Sequence, residues 1–275
     1  MIDPAQLLSA LESDLSLPKN AVLITFDDCY ESYYRLAAPV LKYLGIRALV
    51  FIPTYYVERQ KPFWFDVAWS YIKQSKPDEL IWLMDVLGLK YQKFNRSIHQ
   101  PLFINTMKRM LPEVREKLID RMEHELSGMS QSDALNRLYY PLRYEQIREL
   151  AEEGTIFGGH THTHTILTVM PDWKADSEIV ENKSIVEDLL SRPCHFFAYP
   201  NGGHADYNNA HKLILRRVGY KAAFSLTQRR SSIYEDAMDI SRINAAPEDT
   251  VTSLLFRCTG VMSIITLLRR YVETE

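Results

Sequence analysis

The stretch Ala21-Val22-Leu23-Ile24-Thr25-Phe26-Asp27-Asp28 runs six apolar or β-branched residues straight into two adjacent carboxylates. Such a run, without polar alternation, predicts a strand over 21–26 that is buried on both faces and ends at Asp27. A helical pattern follows over about 30–44 and is closed by Gly45, and residues 47–52 read as a second buried strand stopped by Pro53. Two buried strands joined by a helix make a β-α-β unit, whose strands are parallel.

Outward from that unit, an amphipathic segment precedes it at 7–15, and the chain changes character after it. Residues 64–129 are rich in Leu, Met, Lys and Glu at helical spacing, with breaks expected near Pro77, Pro101 and Pro112. This is a helical insertion, at about 60–140, within a single domain spanning 1–275. The alternation then resumes: a helix at 144–153, a strand at 155–159, a helix at 175–190, a strand at 194–198, a helix ending near Gly219 and a strand at 222–226. Repeating β-α order points to an α/β barrel or a doubly wound sheet, and in both the chemistry gathers at the C-terminal ends of strands.

Composition narrows the function classes. With 32 basic against 35 acidic residues, a net charge of −3 leaves no electrostatic footprint for nucleic acid. No run of about 18 uncharged apolar residues predicts a transmembrane segment. Met1-Ile2-Asp3-Pro4 lacks the basic flank and apolar run of a secretion signal, so cytoplasmic residence is the default expectation, with the cell envelope open if the N-terminus is incomplete. Cys29, Cys194 and Cys258 are too few and too scattered for a disulfide framework. The run 261–271, with Arg269-Arg270, reads as a packed terminal helix rather than a membrane contact.

Three segments carry candidate chemistry. Asp27 and Asp28 stand where a buried strand emerges, and strand alternation turns their side chains to opposite sides, which suits two different roles. Gly158-Gly159-His160-Thr161-His162-Thr163-His164 follows another strand and holds three imidazoles in five residues. Imidazole is the commonest metal ligand. In a helical turn His160 and His164 share a face, whereas in an extended segment all three do. One carboxylate and two imidazoles at strand ends make a three-ligand metal site with open positions, and the other carboxylate can take a proton from water whose pKa the ion lowers toward ~7. Phe196-Phe197-Ala198-Tyr199-Pro200-Asn201-Gly202-Gly203 runs a strand into a turn whose backbone amides suit an oxyanion.

In this order the segments resemble the polysaccharide deacetylases of carbohydrate esterase family 4, the NodB-homology domain. The likeness extends through Ala38-Pro39-Val40-Leu41, the strand ending at Ile52, Leu167, Ala222-Ala223-Phe224 and Ser241-Arg242-Ile243. The family pattern His-Ser/Thr-x-x-His places its second ligand four positions after the first, which His164 satisfies and His162 does not. The resemblance thus implies Asp28, His160 and His164 as metal ligands, Asp27 as catalytic base and Thr161 as a loop brace. It also implies a deformed (β/α) barrel, a divalent cation, usually zinc, and removal of acetyl groups from an N-acetylated glycan, with an amide near Asn201 on the oxyanion.

The chain departs from the family at three places. Cys29 follows the aspartate pair where many relatives carry Gly, so either that backbone needs no positive φ or the turn is altered. Ala198 stands where better-known members have the Arg that orients the base, and Arg242 is the candidate replacement. No late Leu-x-x-His segment supplies a general acid, for which His204 is the candidate. Phe63-Trp64-Phe65-Asp66 with Trp69 either lines a sugar groove or packs the insertion onto its barrel. The same residues also fit hydrolysis of another C–N bond, in a cyclic imide or ureide, and a silent glycan-binding or complex-forming subunit.

Overall fold

Alternate residues of each strand face two different cores, and this accounts for the unbroken apolar runs of the sequence. The computed structural model describes residues 1–13, 15–89, 95–125, 136–231, 236–246 and 248–259. Strands β1 (Thr25–Phe26), β2 (Leu49–Ile52), β3 (Ile156–Gly159), β4 (Phe196–Ala198) and β5 (Ala222–Phe224) form one parallel sheet in the order β1-β2-β3-β4-β5. Val50, Ile52, Phe157, Phe197 and Ala223 pack on one side beneath the crossover helices, while Leu49, Phe51, Phe196, Ala198, Ala222 and Phe224 pack on the other with Ile2 and Leu7. Leu7 belongs to α1 (Pro4–Ser13), which thereby covers that face of the sheet. The curled sheet with its crossover helices is a deformed (β/α) barrel of the NodB type.

Several boundaries differ from expectation, each for a physical reason. The first strand is two residues long rather than six. It lies at the sheet edge, where Val22 is exposed and the backbone of Val22 and Ile24 bonds to Ile2 and Leu49 outside a regular ladder. The expected helix at 30–44 is a π-helical turn, Tyr33–Ala37, followed by α2 (Ala38–Tyr43). Pro39 carries no N–H and cannot continue an α-ladder, and the wider turn ahead of it absorbs that gap.

Between β2 and β3 lie α3 (Thr54–Arg59), ahead of the expected insertion, and α4 (Trp64–Gln74), α5 (Ile81–Val86), α6 (Arg96–Lys108) and α7 (Pro112–Glu125), which fall within its expected bounds. Pro112 opens α7 and Pro77 precedes a short 3-10 turn, but Pro101 lies inside α6 instead of breaking it, on the exposed side. The insertion has its own apolar cluster, including Phe63, Tyr71, Leu83, Phe103 and Met122. Beyond it come α8 (Tyr144–Glu152), α9 (Asp172–Leu190), α10 (Asn209–Val218) and α11 (Val251–Cys258). Helix α9 starts three residues earlier than expected, on an extended Pro171. The expected terminal helix at 261–271 lies outside the described residues. Among the described residues no helix is long and apolar enough to cross a membrane.

Strand β3 can pass between its neighbours because it ends in two glycines. A Cβ on Gly158 would meet the Phe196 carbonyl oxygen at 2.7 Å, and one on Gly159 would meet Tyr220 Oη at 2.2 Å and Asn182 Oδ1 at 2.3 Å. Since those partners are buried, a methyl group has nowhere to go. Gly159→Ala is expected to destabilise the fold by about 2–3 kcal/mol. A urea denaturation midpoint equal to that of the parent would contradict this packing.

Candidate active site

The C-terminal edge of the sheet places three chain segments around one cavity of about 670 Å³. Asp27 and Asp28 leave β1, His160 and His164 follow β3, and Asn201 follows β4. Strand alternation alone would send the two carboxylates apart. They line one cavity instead, because Asp28 and Cys29 are both left-handed, with φ of 69° and 55°. Position 29 therefore keeps the positive φ that suits glycine, and its thiol is wholly buried in the main core. Burial, reinforced by Asp28, pushes the Cys29 thiol far up, so it is an inert neutral group.

The histidine segment is neither a helical turn nor an extended strand. Thr161 and His164 are left-handed, at 59° and 53°, and the loop folds so that His160 and His164 face Asp28. His160 Nε2 lies 3.7 Å and His164 Nε2 3.0 Å from Asp28 Oδ1, and the three candidate ligand atoms lie within 4.8 Å of one another. His160 Nδ1 donates to the Ala198 carbonyl at 2.7 Å, which leaves the Nε2 lone pair toward Asp28. Burial lowers the His160 pKa against the pull of Asp27 and Asp28, favouring the neutral imidazole. Asp28 Oδ1 and His164 Nδ1 are buried without hydrogen-bond partners among the described residues. Two imidazole nitrogens and a carboxylate oxygen converging in this way fit a divalent cation, with a ligand set typical of zinc. His162 points elsewhere, its Nδ1 2.9 Å from Thr54 Oγ1 and its Nε2 3.5 Å from Glu181.

Helix α9 braces this loop. The Asn182 amide donates to the carbonyls of Ile52 and Thr161 at 2.8 and 2.7 Å, while its Oδ1 accepts from the His160 amide at 3.1 Å. Glu178 accepts from both the amide and the hydroxyl of Thr163 at 2.7 Å, and Thr161 Oγ1 accepts from the Thr165 amide. Sequence reading missed Asn182 and Glu178, because polar residues in a long helix pass for a solvated face. The available signal was spacing: Asn182 shares a buried stripe with Ile179, Lys183 and Val186.

Asp27 is held by Arg242 in a two-pronged ion pair, Nη1 to Oδ1 at 2.6 Å and Nη2 to Oδ2 at 2.8 Å. Arg242 is itself fixed by the Ser225 carbonyl and Thr25 Oγ1, with its guanidinium over the Phe51 ring. Burial raises the Asp27 pKa, but Arg242 and the two imidazoles outweigh it and hold the carboxyl below the usual range. Asn201 is left-handed, at 63°, and its side chain bridges Lys108 and Asp206. His204 stands exposed on that turn and is not among the residues lining the cavity.

The insertion forms much of the cavity wall. Trp64, Phe65, Asp66 and Trp69 line it, whereas Phe63 is wholly buried in the insertion core. Burial pushes Asp66 up to about 7 although Tyr30 Oη donates to it at 2.6 Å. Lys108, which sequence reading did not single out, also reaches the cavity.

The sequence profile described as polysaccharide deacetylase matches residues 14–90 and 98–223. The chain belongs to that family, whose members include the carbohydrate esterases of family 4. No curated protein matches it. Among solved structures it is similar to the Streptococcus pyogenes deacetylase PplD in complex with acetate, at 18% identity and a TM-score of 0.60, covering 94% of this chain and 78% of that one. It is also similar to IcaB from Ammonifex degensii, at 18% identity and a TM-score of 0.55, covering 94% and 82% respectively. A de-N-acetylase from Aggregatibacter actinomycetemcomitans matches at 14% identity and a TM-score of 0.56, covering 93% and 82%.

Asn182→Ala strips buried partners from the His160 loop. It is expected to cost about 2–3 kcal/mol of stability and to weaken zinc binding about 10–100-fold. Urea denaturation and a zinc titration against a competing chelator measure the two effects. Unchanged zinc affinity would show that the loop does not depend on this brace.

Proposed function

We propose that the protein is a metal-dependent deacetylase that hydrolyses the acetamido group of an N-acetylated glycan. The observation that carries this reading is the Asp27–Arg242 ion pair beside the Asp28, His160 and His164 cluster, in one cavity. Family membership supports deacetylation as the reaction, and the S. pyogenes deacetylase of similar fold was solved with acetate, the product expected here.

Asp28, His160 and His164 would hold the cation, with zinc as the ion of choice. When bound, such an ion supplies Lewis acidity, which polarises an acetyl carbonyl and makes water more acidic. Asp27 is the general base: its carboxyl is ionised at neutral pH, and Arg242 fixes its orientation so that it can accept a proton from the attacking water. The Asn201 backbone amide, for which no acceptor is found among the described residues, would donate to the oxyanion, a role supported by the position of Asn201 in the cavity wall. The chain acts as one catalytic domain in which the insertion supplies a wall of the substrate cavity.

The reading is tested by acetate release from N-acetylglucosamine oligomers incubated with zinc-loaded protein. The parent is expected to release acetate, and Asp27→Asn to lower kcat by about 10³-fold while retaining zinc. Turnover by Asp27→Asn equal to the parent's, or no acetate from the parent, would contradict it.

A further inference from the structure

The deacetylase reading leaves one proton without a source. The sugar amine is a poor leaving group unless its nitrogen is protonated as the C–N bond breaks. Of the eight histidines in the chain, only His160 and His164 line the cavity, and both belong to the cation cluster. Asp66 lines the cavity as well, with one carboxyl oxygen occupied as acceptor of the Tyr30 hydroxyl hydrogen bond at 2.6 Å. Lys108 lines the same cavity, and a built network sets its position. It ends α6, and its Nζ donates to Asn201 Oδ1 at 3.0 Å. Asn201 in turn donates to Asp206, a buried carboxylate that also accepts from the Gly203 amide and pairs with Arg109 at 2.8 Å. The C-terminal end of α6 is thus clamped to the turn after β4. The ammonium stands on the β4 side of the cavity, and Asp27 is held on the β1 side.

We propose that Lys108 is the catalytic acid that protonates the departing sugar amine, an assignment that rests on the deacetylase reading above. In this step the C–N bond breaks, its electron pair stays on nitrogen, and the nitrogen takes a proton from Nζ. Lys108 is left as a neutral amine, while Asp27 holds the proton taken from water. Transfer of that proton to Lys108 through solvent restores both groups, so the net reaction is acetamide plus water to acetic acid plus amine. Burial of Lys108 lowers its pKa against the pull of Asp206 and Asp28, which brings the donor closer in strength to the amine it protonates.

The test compares zinc-loaded parent, Lys108→Met and Lys108→Arg on two substrates. One is an N-acetylglucosamine oligomer; the other is 4-nitrophenyl acetate, whose leaving group departs without a proton. Lys108→Met is expected to lose about 10²-fold or more in kcat on the oligomer and about tenfold less than that on the ester, which needs no leaving-group proton. Lys108→Arg keeps the charge but does not release its proton at accessible pH, so it is expected to behave like Lys108→Met. Oligomer turnover by either variant within about threefold of the parent overturns the assignment, as does an equal loss on both substrates. A parent that releases no acetate from the oligomer overturns the deacetylase reading and this assignment with it. A parent active on the oligomer beside a fully active Lys108→Met overturns the assignment alone.

Discussion

One Asp28 carboxylate oxygen and the Nε2 atoms of His160 and His164 converge at the mouth of the sheet, a donor set suited to a single cation. The surrounding structure is arranged to keep these groups together. Asn182 and Glu178 tie the histidine loop to α9, and the Ala198 carbonyl fixes the tautomer of His160. Three left-handed residues, Asp28, Thr161 and His164, are needed to aim the side chains inward. Strain of that kind persists only where the surrounding contacts outweigh it, and here it sits at the centre of the cluster.

Around this cluster, responsibility is divided between barrel and insertion. The barrel supplies Asp27 and Asp28 after β1, His160 and His164 after β3, and Arg242 from beyond β5. The insertion supplies much of the wall, through Trp64, Phe65, Asp66, Trp69 and Lys108, and is clamped to the turn after β4 through Arg109 and Asp206. Arg242 reaches Asp27 from the other end of the chain and holds both of its carboxylate oxygens.

The parallel sheet was legible in the sequence because both faces of its strands are buried, so apolar runs marked them without alternation. Strand lengths were not, since the edge position of β1 and the departure of its backbone from the ladder depend on neighbours far away in sequence. The density of imidazoles from His160 to His164 identified the histidine loop, while its left-handed turns were invisible because threonine and histidine do not advertise positive φ. Arg242 lies 215 residues from Asp27, and only the closure of the sheet brings them together. Lys108 had no distinguishing signal: a lysine at the end of a helix reads as dipole compensation at a solvated end. Pro101 misled in the opposite direction, because a proline on the exposed side of α6 is tolerated where the rest of the helix packs on the insertion core.

The central claim is that Asp28, His160 and His164 hold a single divalent cation beside Asp27. Diffraction from crystals grown with zinc, collected on both sides of the zinc absorption edge, addresses it most directly. The account predicts one anomalous peak bonded to Asp28, His160 Nε2 and His164 Nε2, at about 2.0–2.2 Å from each, with Arg242 still paired to Asp27. No peak there, or one that recruits His162 in place of His160 or His164, would contradict it.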